Sequence, residues 1–126
     1  MPLSRILCVE DEEDIRIVVR LALTSVGGFT VQCCATGAEA LAVAGAFAPD
    51  LILLDVMMPT MDGPGTLLAL RALPGLATTP VVFMTALVQP EDVENLIALG
   101  AVGVIPKPFK PMSLPGTLRE IWSRRG

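Results

Sequence analysis

The chain has 126 residues, a length that suits one compact domain, and 52% of them are hydrophobic, enough to fill a core. A formal charge of −4 disfavours direct contact with nucleic acid, which requires basic surfaces. No apolar run approaches the roughly 18 residues that span a bilayer, and the first residues lack the features of a signal peptide, so we expect a cytoplasmic protein that does not enter a membrane.

Five short runs in the chain are predicted to be β-strands. Four of them are mainly apolar without alternation, which is typical of strands buried on both faces of a parallel sheet, and the second is more polar. In chain order they are Arg5 to Val9, Thr30 to Ala35, Leu51 to Leu54, Pro80 to Met84 and Gly103 to Ile105.

Helical segments are predicted between these strands. The first is expected to end at Gly27-Gly28 and to carry an apolar stripe made of Ile15, Val18, Val19, Ala22 and Val26. Further helices are predicted over residues 38 to about 47, 66 to 73 and 91 to 99, and a last one after a cap at Ser113. Because strands and helices alternate throughout, the sequence predicts an α/β fold: a doubly wound parallel sheet of five strands, with helices on both faces.

Charged and polar residues stand at the carboxyl ends of the predicted strands. In a parallel sheet these ends lie along one edge, where doubly wound folds bind their ligands. Three carboxylates, one hydroxyl and one ammonium group are therefore expected to face a single crevice. They belong to Glu10, Asp11, Asp55, Thr85 and Lys107.

This set of side chains predicts a site for phosphoryl transfer to a carboxylate. Three crowded carboxylates repel one another unless a cation lies among them. Oxygen ligands in a chain without histidine favour Mg²⁺, with Mn²⁺ as the alternative. Lys107 supplies positive charge for an incoming anion, and Asp55 is the natural nucleophile, since carboxylates form aspartyl phosphates.

The motifs at these positions make the chain resemble the receiver domains of two-component response regulators over essentially its whole length. The resemblance implies a flavodoxin-like (βα)5 fold with strand order 2-1-3-4-5. It also implies one receiver domain over residues 1–126 without an output domain, similar to the single-domain receivers of chemotaxis. The matching segments are Val9 to Glu12, Pro49 to Pro59, Met61 to Gly63, Thr85-Ala86, Gly100-Ala101 and Lys107 to Phe109.

The resemblance assigns the residues that would handle the phosphoryl group. Asp55 would be the phosphoacceptor, while Thr85 and Lys107 would contact the phosphoryl oxygens. The backbone amides of Met57 and Ala86 would bind the remaining oxygens.

The resemblance also implies a metal site and a backbone geometry. Glu10, Asp11, Asp55 and the backbone carbonyl of Met57 would hold the metal. The Lys107-Pro108 peptide would be cis.

Two departures from the family pattern concern the switch and the lifetime of the phosphoryl group. Val104 stands where most receivers carry an aromatic residue that moves together with the hydroxyl residue, here Thr85. Met57 and Leu87 are both apolar at positions that flank the path of the hydrolytic water, so we expect a long-lived phosphoryl group.

The implied function is a signalling switch without external turnover. A histidine kinase or a histidine phosphotransfer protein would phosphorylate Asp55, and a downstream protein would read the altered surface. A phosphorelay intermediate, a phosphate sink, or a receiver piece of a hybrid kinase or transcription factor would have the same sequence features. An aspartate-based phosphatase is disfavoured because Met57 stands where such enzymes carry a second acid. The complete set of acids, Thr85 and Lys107 disfavours a receiver that only binds partners.

The remaining predictions concern the surface and the cysteines. The low charged fraction of 17% and apolar residues between positions 67 and 73 allow a monomer or a weak homodimer. Cys8, Cys33 and Cys34 are expected to be reduced, with Cys33 and Cys34 on opposite sides of a strand.

Overall fold

The computed structural model describes residues 2–125, which form a five-stranded parallel sheet with helices on both faces. The strand order is β2-β1-β3-β4-β5, which confirms the predicted doubly wound, flavodoxin-like topology. Each strand boundary lies within one residue of the prediction. The strands are Arg5–Val9 (β1), Thr30–Cys34 (β2), Leu51–Asp55 (β3), Val81–Thr85 (β4) and Gly103–Pro106 (β5).

The connections between the strands are helical, as predicted. A turn of π-helix, Ala22–Val26, prolongs the first helix, and a 3-10 turn, Pro111–Ser113, precedes the last. The α-helices in the described part of the chain are Glu13–Leu21 (α1), Gly37–Phe47 (α2), Gly63–Arg71 (α3), Pro90–Ala98 (α4) and Leu114–Arg124 (α5).

The hydrophobic core is divided by the sheet into two layers. β3 is the central strand, and all five of its residues are buried. Its side chains alternate, so that Leu53 belongs to the same core layer as Leu118 of α5 on one face, and Leu54 to the same layer as Leu70 of α3 on the other. A strand covered on both faces has no polar side, which explains why the sequence shows apolar runs instead of alternation.

The apolar stripe predicted for the first helix is only partly correct. Val19 and Ala22 are buried, but Val18 and Val26 are 37% and 48% exposed, and Leu23 is buried in their place. The π-helical turn over Ala22–Val26 has more residues per turn than an α-helix, so it rotates Val26 away from the expected face and brings Leu23 onto it; Val18 precedes this turn, and its exposure has no such cause.

The predicted start of the third helix was wrong by three residues. α3 begins at Gly63, where Asp62 caps the helix by accepting a hydrogen bond of 2.8 Å from the Gly65 amide. Pro64 fits the first turn because its missing N–H is not needed there. The Gly-Pro-Gly run at residues 63–65, which lies just before the predicted start at residue 66, is thus the first turn of the helix.

The expected apolar surface between positions 67 and 73 is smaller than predicted. Leu67 and Leu70 are buried in the core, and Leu68 is the large apolar residue that is mostly exposed there, at 68%. This stretch therefore provides little support for a dimer. None of the helices formed by residues 2–125 has both the length and the hydropathy that crossing a membrane requires.

Candidate functional site

The acidic residues at the ends of β1 and β3 lie together. Because these strands are neighbours in the sheet, carboxylate oxygens of Glu10, Asp11 and Asp55 come within 4.8 Å of one another. Glu10 is fully buried, Asp55 is 3% exposed, and Asp11 is half-buried. The predicted convergence of the three acids is confirmed by these positions.

Lys107 connects the acidic cluster to the far side of the crevice. Its ammonium group donates hydrogen bonds to Oε1 of Glu10 and, at 3.1 Å, to Oδ1 of Asp55. Its backbone amide donates to the Thr85 carbonyl at 2.9 Å, which holds the end of β5 against β4. The Lys107-Pro108 peptide is cis, as predicted.

Burial sets the ionisation of this cluster. Loss of hydration raises the pKa of Glu10 to about 7, against the opposing effect of the hydrogen bond from Lys107. Burial also raises the pKa of Asp55. For Lys107, burial acts to lower the pKa, but the bonds to Glu10 and Asp55 outweigh it and raise the pKa. The negative charge of the cluster is therefore only partly compensated by the protein itself.

Thr85 ends β4 next to this crevice and is 2% exposed. Its hydroxyl oxygen accepts a hydrogen bond of 3.0 Å from the Leu87 amide, which couples the hydroxyl to the loop before α4. The side chain of Leu87 itself is 50% exposed. If the Thr85 hydroxyl changed direction, the Leu87 amide would lose this acceptor, and the backbone of the loop would be affected.

The residues predicted to supply backbone groups follow β3 and β4 at the same edge. Met57 comes two residues after Asp55, with a side chain that is 65% exposed. Ala86 directly follows Thr85. Within residues 2–125 the amides of Met57 and Ala86 have no hydrogen-bond acceptor, so both remain available for anionic oxygens.

Val104 occupies the predicted position on β5. It is half-buried, lies beside Phe83 in the sheet register, and packs against the core layer under α2, α3 and α4. Its role in switching stays a prediction.

Arg16 belongs to the site, although sequence reasoning missed it. Its guanidinium donates hydrogen bonds of 2.9 Å to the backbone carbonyls of Glu10 and Asp11, and so anchors the loop that carries both acids. The Glu12 amide also donates to Oε2 of Glu10, at 3.1 Å. An arginine one turn into the helix that follows an acidic pair was the available signal.

The donor set fits a hard divalent cation. Three carboxylates offer oxygen ligands at one edge of the sheet, and Lys107 provides a single compensating charge. Oxygen ligands without imidazole or thiolate are the ligands that Mg²⁺ and Mn²⁺ prefer. Glu10, Asp11, Asp55 and the Met57 carbonyl are the groups that could hold such an ion.

With this geometry, the sequence comparisons define the class of protein. The chain matches the response regulator receiver domain over residues 6–119 and belongs to this family of two-component signalling domains. It is 36% identical over 124 residues to a probable transcriptional regulator ycf27 of Porphyridium aerugineum. This alignment covers 98% of this chain and 50% of that protein. The chain spans about half the length of the curated ycf27 relatives that it matches.

Solved structures agree with this membership. The chemotaxis response regulator CheY4 of Vibrio cholerae has a TM-score of 0.87 and 35% identity, covering 94% of this chain and 98% of that chain. The signal receiver domain of a signal transduction histidine kinase from Syntrophus aciditrophicus has a TM-score of 0.80 and 33% identity, covering 98% and 94%. Receivers from different types of protein thus share this fold.

Proposed function

We propose that this chain is a phosphorylation-dependent switch in which Asp55 accepts a phosphoryl group from a phosphohistidine. The observation that carries the proposal is the buried acidic cluster of Glu10, Asp11 and Asp55, with Lys107 bonded to two of its members. Such a cluster costs folding free energy, and it is explained by a cation and an anionic group that bind there together.

The positions of the side chains support this transfer. A carboxylate oxygen of Asp55 forms a bond to phosphorus as the bond between phosphorus and the donor's histidine nitrogen breaks. Lys107 already touches Asp55, so its ammonium group can turn to a phosphoryl oxygen as charge shifts outward. The free amides of Met57 and Ala86 bind the other oxygens. A divalent cation held by Glu10, Asp11, Asp55 and the Met57 carbonyl would neutralise further charge.

The output begins at Thr85. When the Thr85 side chain turns so that its hydroxyl can donate to a phosphoryl oxygen, the hydroxyl oxygen moves away from the Leu87 amide and the loop before α4 is released. The surface formed by α4, β5 and α5 then shifts its population between two states, with Val104 giving a smaller packing change than an aromatic residue would. The partners are a histidine kinase or phosphotransfer protein as donor and a downstream protein that recognises this surface.

This function is a switch and not an enzyme that turns over external substrates. The domain would promote its own phosphorylation and dephosphorylation. It lacks the second acid of an aspartate-based phosphatase, because Met57 stands at that position. Hydrolysis of p-nitrophenyl phosphate by the purified protein, lost in Asp55→Asn, would contradict this part of the proposal.

The direct test is incubation with acetyl phosphate and MgCl₂ followed by mass spectrometry. The wild-type protein should gain the mass of one phosphoryl group, and peptide mapping should place it on Asp55. Asp55→Asn keeps the size of the side chain and should gain none, as should wild-type protein in EDTA. A protein that gains no mass with Mg²⁺ present, or that gains it at another residue, would overturn the proposal.

A further inference from the structure

Two cysteines that are not members of the acidic cluster lie side by side on neighbouring strands at the edge of the sheet. Cys8 of β1 and Cys33 of β2 are partners in the parallel register, and both face the core layer under α1 and α5. Neighbouring strands lie about 4.8 Å apart, within the Cα separations at which disulfides form. All three cysteines of the chain are free thiols in the structure.

The two thiols differ in exposure and in electrostatic environment. Cys8 is fully buried, whereas Cys33 is half-buried on the edge strand β2. The Cys8 thiol, its partner in the sheet register, lowers the pKa of Cys33. Burial acts in the opposite direction, and Arg20 and Arg16 of α1, which packs on β2, lower the pKa further.

Cys34 provides an internal comparison on the same strand. Its side chain lies on the other face of the sheet and is 2% exposed. Burial, followed by the charge of Glu39, raises the pKa of Cys34 to about 11. Reactive cysteines lie in partly exposed, electropositive surroundings, and redox-sensitive ones often have a second cysteine next to them. Cys33 meets these criteria and Cys34 does not.

We propose that Cys33 is a site of oxidation by hydroperoxides and that Cys8 converts the oxidised form into a disulfide between β1 and β2. The Cys33 thiolate attacks one peroxide oxygen, the S–O bond forms, the O–O bond breaks, and the leaving oxygen takes up a proton. The Cys8 sulfur then attacks the sulfenic acid of Cys33; the S–S bond forms, the S–O bond breaks, and water leaves with the Cys8 proton. The peroxide is reduced by two electrons, and the dithiol is oxidised to a disulfide.

This site is separate from the phosphoacceptor and does not depend on the proposed function. Cys8 lies in β1, two residues before Glu10, and Arg16 binds the backbone carbonyls of Glu10 and Asp11 while its charge also lowers the pKa of Cys33. The oxidation site therefore adjoins the loop that carries the acidic pair.

The test is a stoichiometric treatment of the reduced 126-residue chain with hydrogen peroxide, followed by peptide mapping. Wild-type protein should lose two hydrogens and give a linked Cys8–Cys33 peptide. In Cys8→Ala the reaction should stop at a Cys33 sulfenic acid that dimedone traps. Cys34→Ala is the matched control and should form the same disulfide at the wild-type rate.

A second measurement needs no variant. Limited iodoacetamide at neutral pH should label Cys33 at least about tenfold faster than Cys34 in the folded wild-type protein. Equal labelling of Cys33 and Cys34, a disulfide between two chains, or a Cys33–Cys34 linkage would each refute the proposal.

Discussion

Gly63 is predicted to control both the stability of the domain and the position of Asp55. A Cβ atom added at Gly63 would lie 2.5 Å from the carbonyl oxygen of Asp55 and 2.8 Å from Cα of Val56. Ordinary contact begins at 3.4 Å, so α3 and the end of β3 must separate by about 0.9 Å in Gly63→Ala. The atoms that the added Cβ would meet belong to the backbone of Asp55 and Val56, so no side-chain rotation relieves the clash.

The expected loss of stability is about 1–3 kcal/mol, the usual cost of inserting a methyl group into a packed contact. For a domain of this size each kcal/mol corresponds to about 3–5 °C in the melting temperature. Gly45→Ala in α2 is the matched control, because nothing lies within 4 Å of its added Cβ. That variant should gain about 0.5–1 kcal/mol from the helix preference of alanine.

The same displacement reaches the phosphoacceptor. Because misplacement of a reacting group by about 1 Å can slow a reaction about 10²-fold, phosphorylation of Gly63→Ala by acetyl phosphate should be strongly slowed. The assays are thermal denaturation and the rate of mass gain with Mg²⁺, measured for wild type, Gly63→Ala and Gly45→Ala. If Gly63→Ala is as stable as Gly45→Ala and is phosphorylated at the wild-type rate, the steric reasoning is wrong.

Three further predictions concern the site itself. In metal-free protein the pKa of Glu10 is raised in the folded state, so the folded state holds this proton more tightly than the unfolded state does. Protonation of Glu10 therefore stabilises the fold below about pH 4.5, and this stabilisation is lost as the pH rises to about 7. The melting temperature should therefore fall over this range, and Glu10→Gln should flatten the curve; an unchanged curve would contradict the assignment. Lys107→Ala should reduce the phosphorylation rate about 10²-fold, since it removes the cation bonded to Asp55, and a wild-type rate would exclude this role. Met57→Asn and Leu87→Glu replace the two apolar side chains that the family pattern places beside the path of the hydrolytic water. Each should shorten the half-life of the phosphoryl group, and equal or longer half-lives would discard that hypothesis.

The kinds of elements and their order could be predicted from the sequence because they depend on local properties. Runs such as Leu51 to Leu54 have no polar side, and this pattern requires a strand that is covered on both faces. The carboxyl ends of parallel strands meet at one edge whatever the details of packing, so Glu10, Asp55 and Lys107 could be placed in one crevice before any distance was known.

Other features depend on contacts between residues that are distant in the chain. At the start of α3, Gly63 lies so close to the Asp55 carbonyl that an added Cβ would clash with it. The sequence predicted that this helix begins at residue 66, because a sequence does not show which backbone atoms lie opposite a glycine.

The tertiary structure also decided the electrostatics of the molecule. Glu10 has a raised pKa because it is fully buried, and Cys33 has a lowered pKa because the sheet register places Cys8 beside it. Ionisation depends on solvent exclusion and on neighbours a few ångströms away. The sequence alone therefore determined which chemical groups meet at the edge of the sheet, and the folded packing determined how strongly each of them holds its proton.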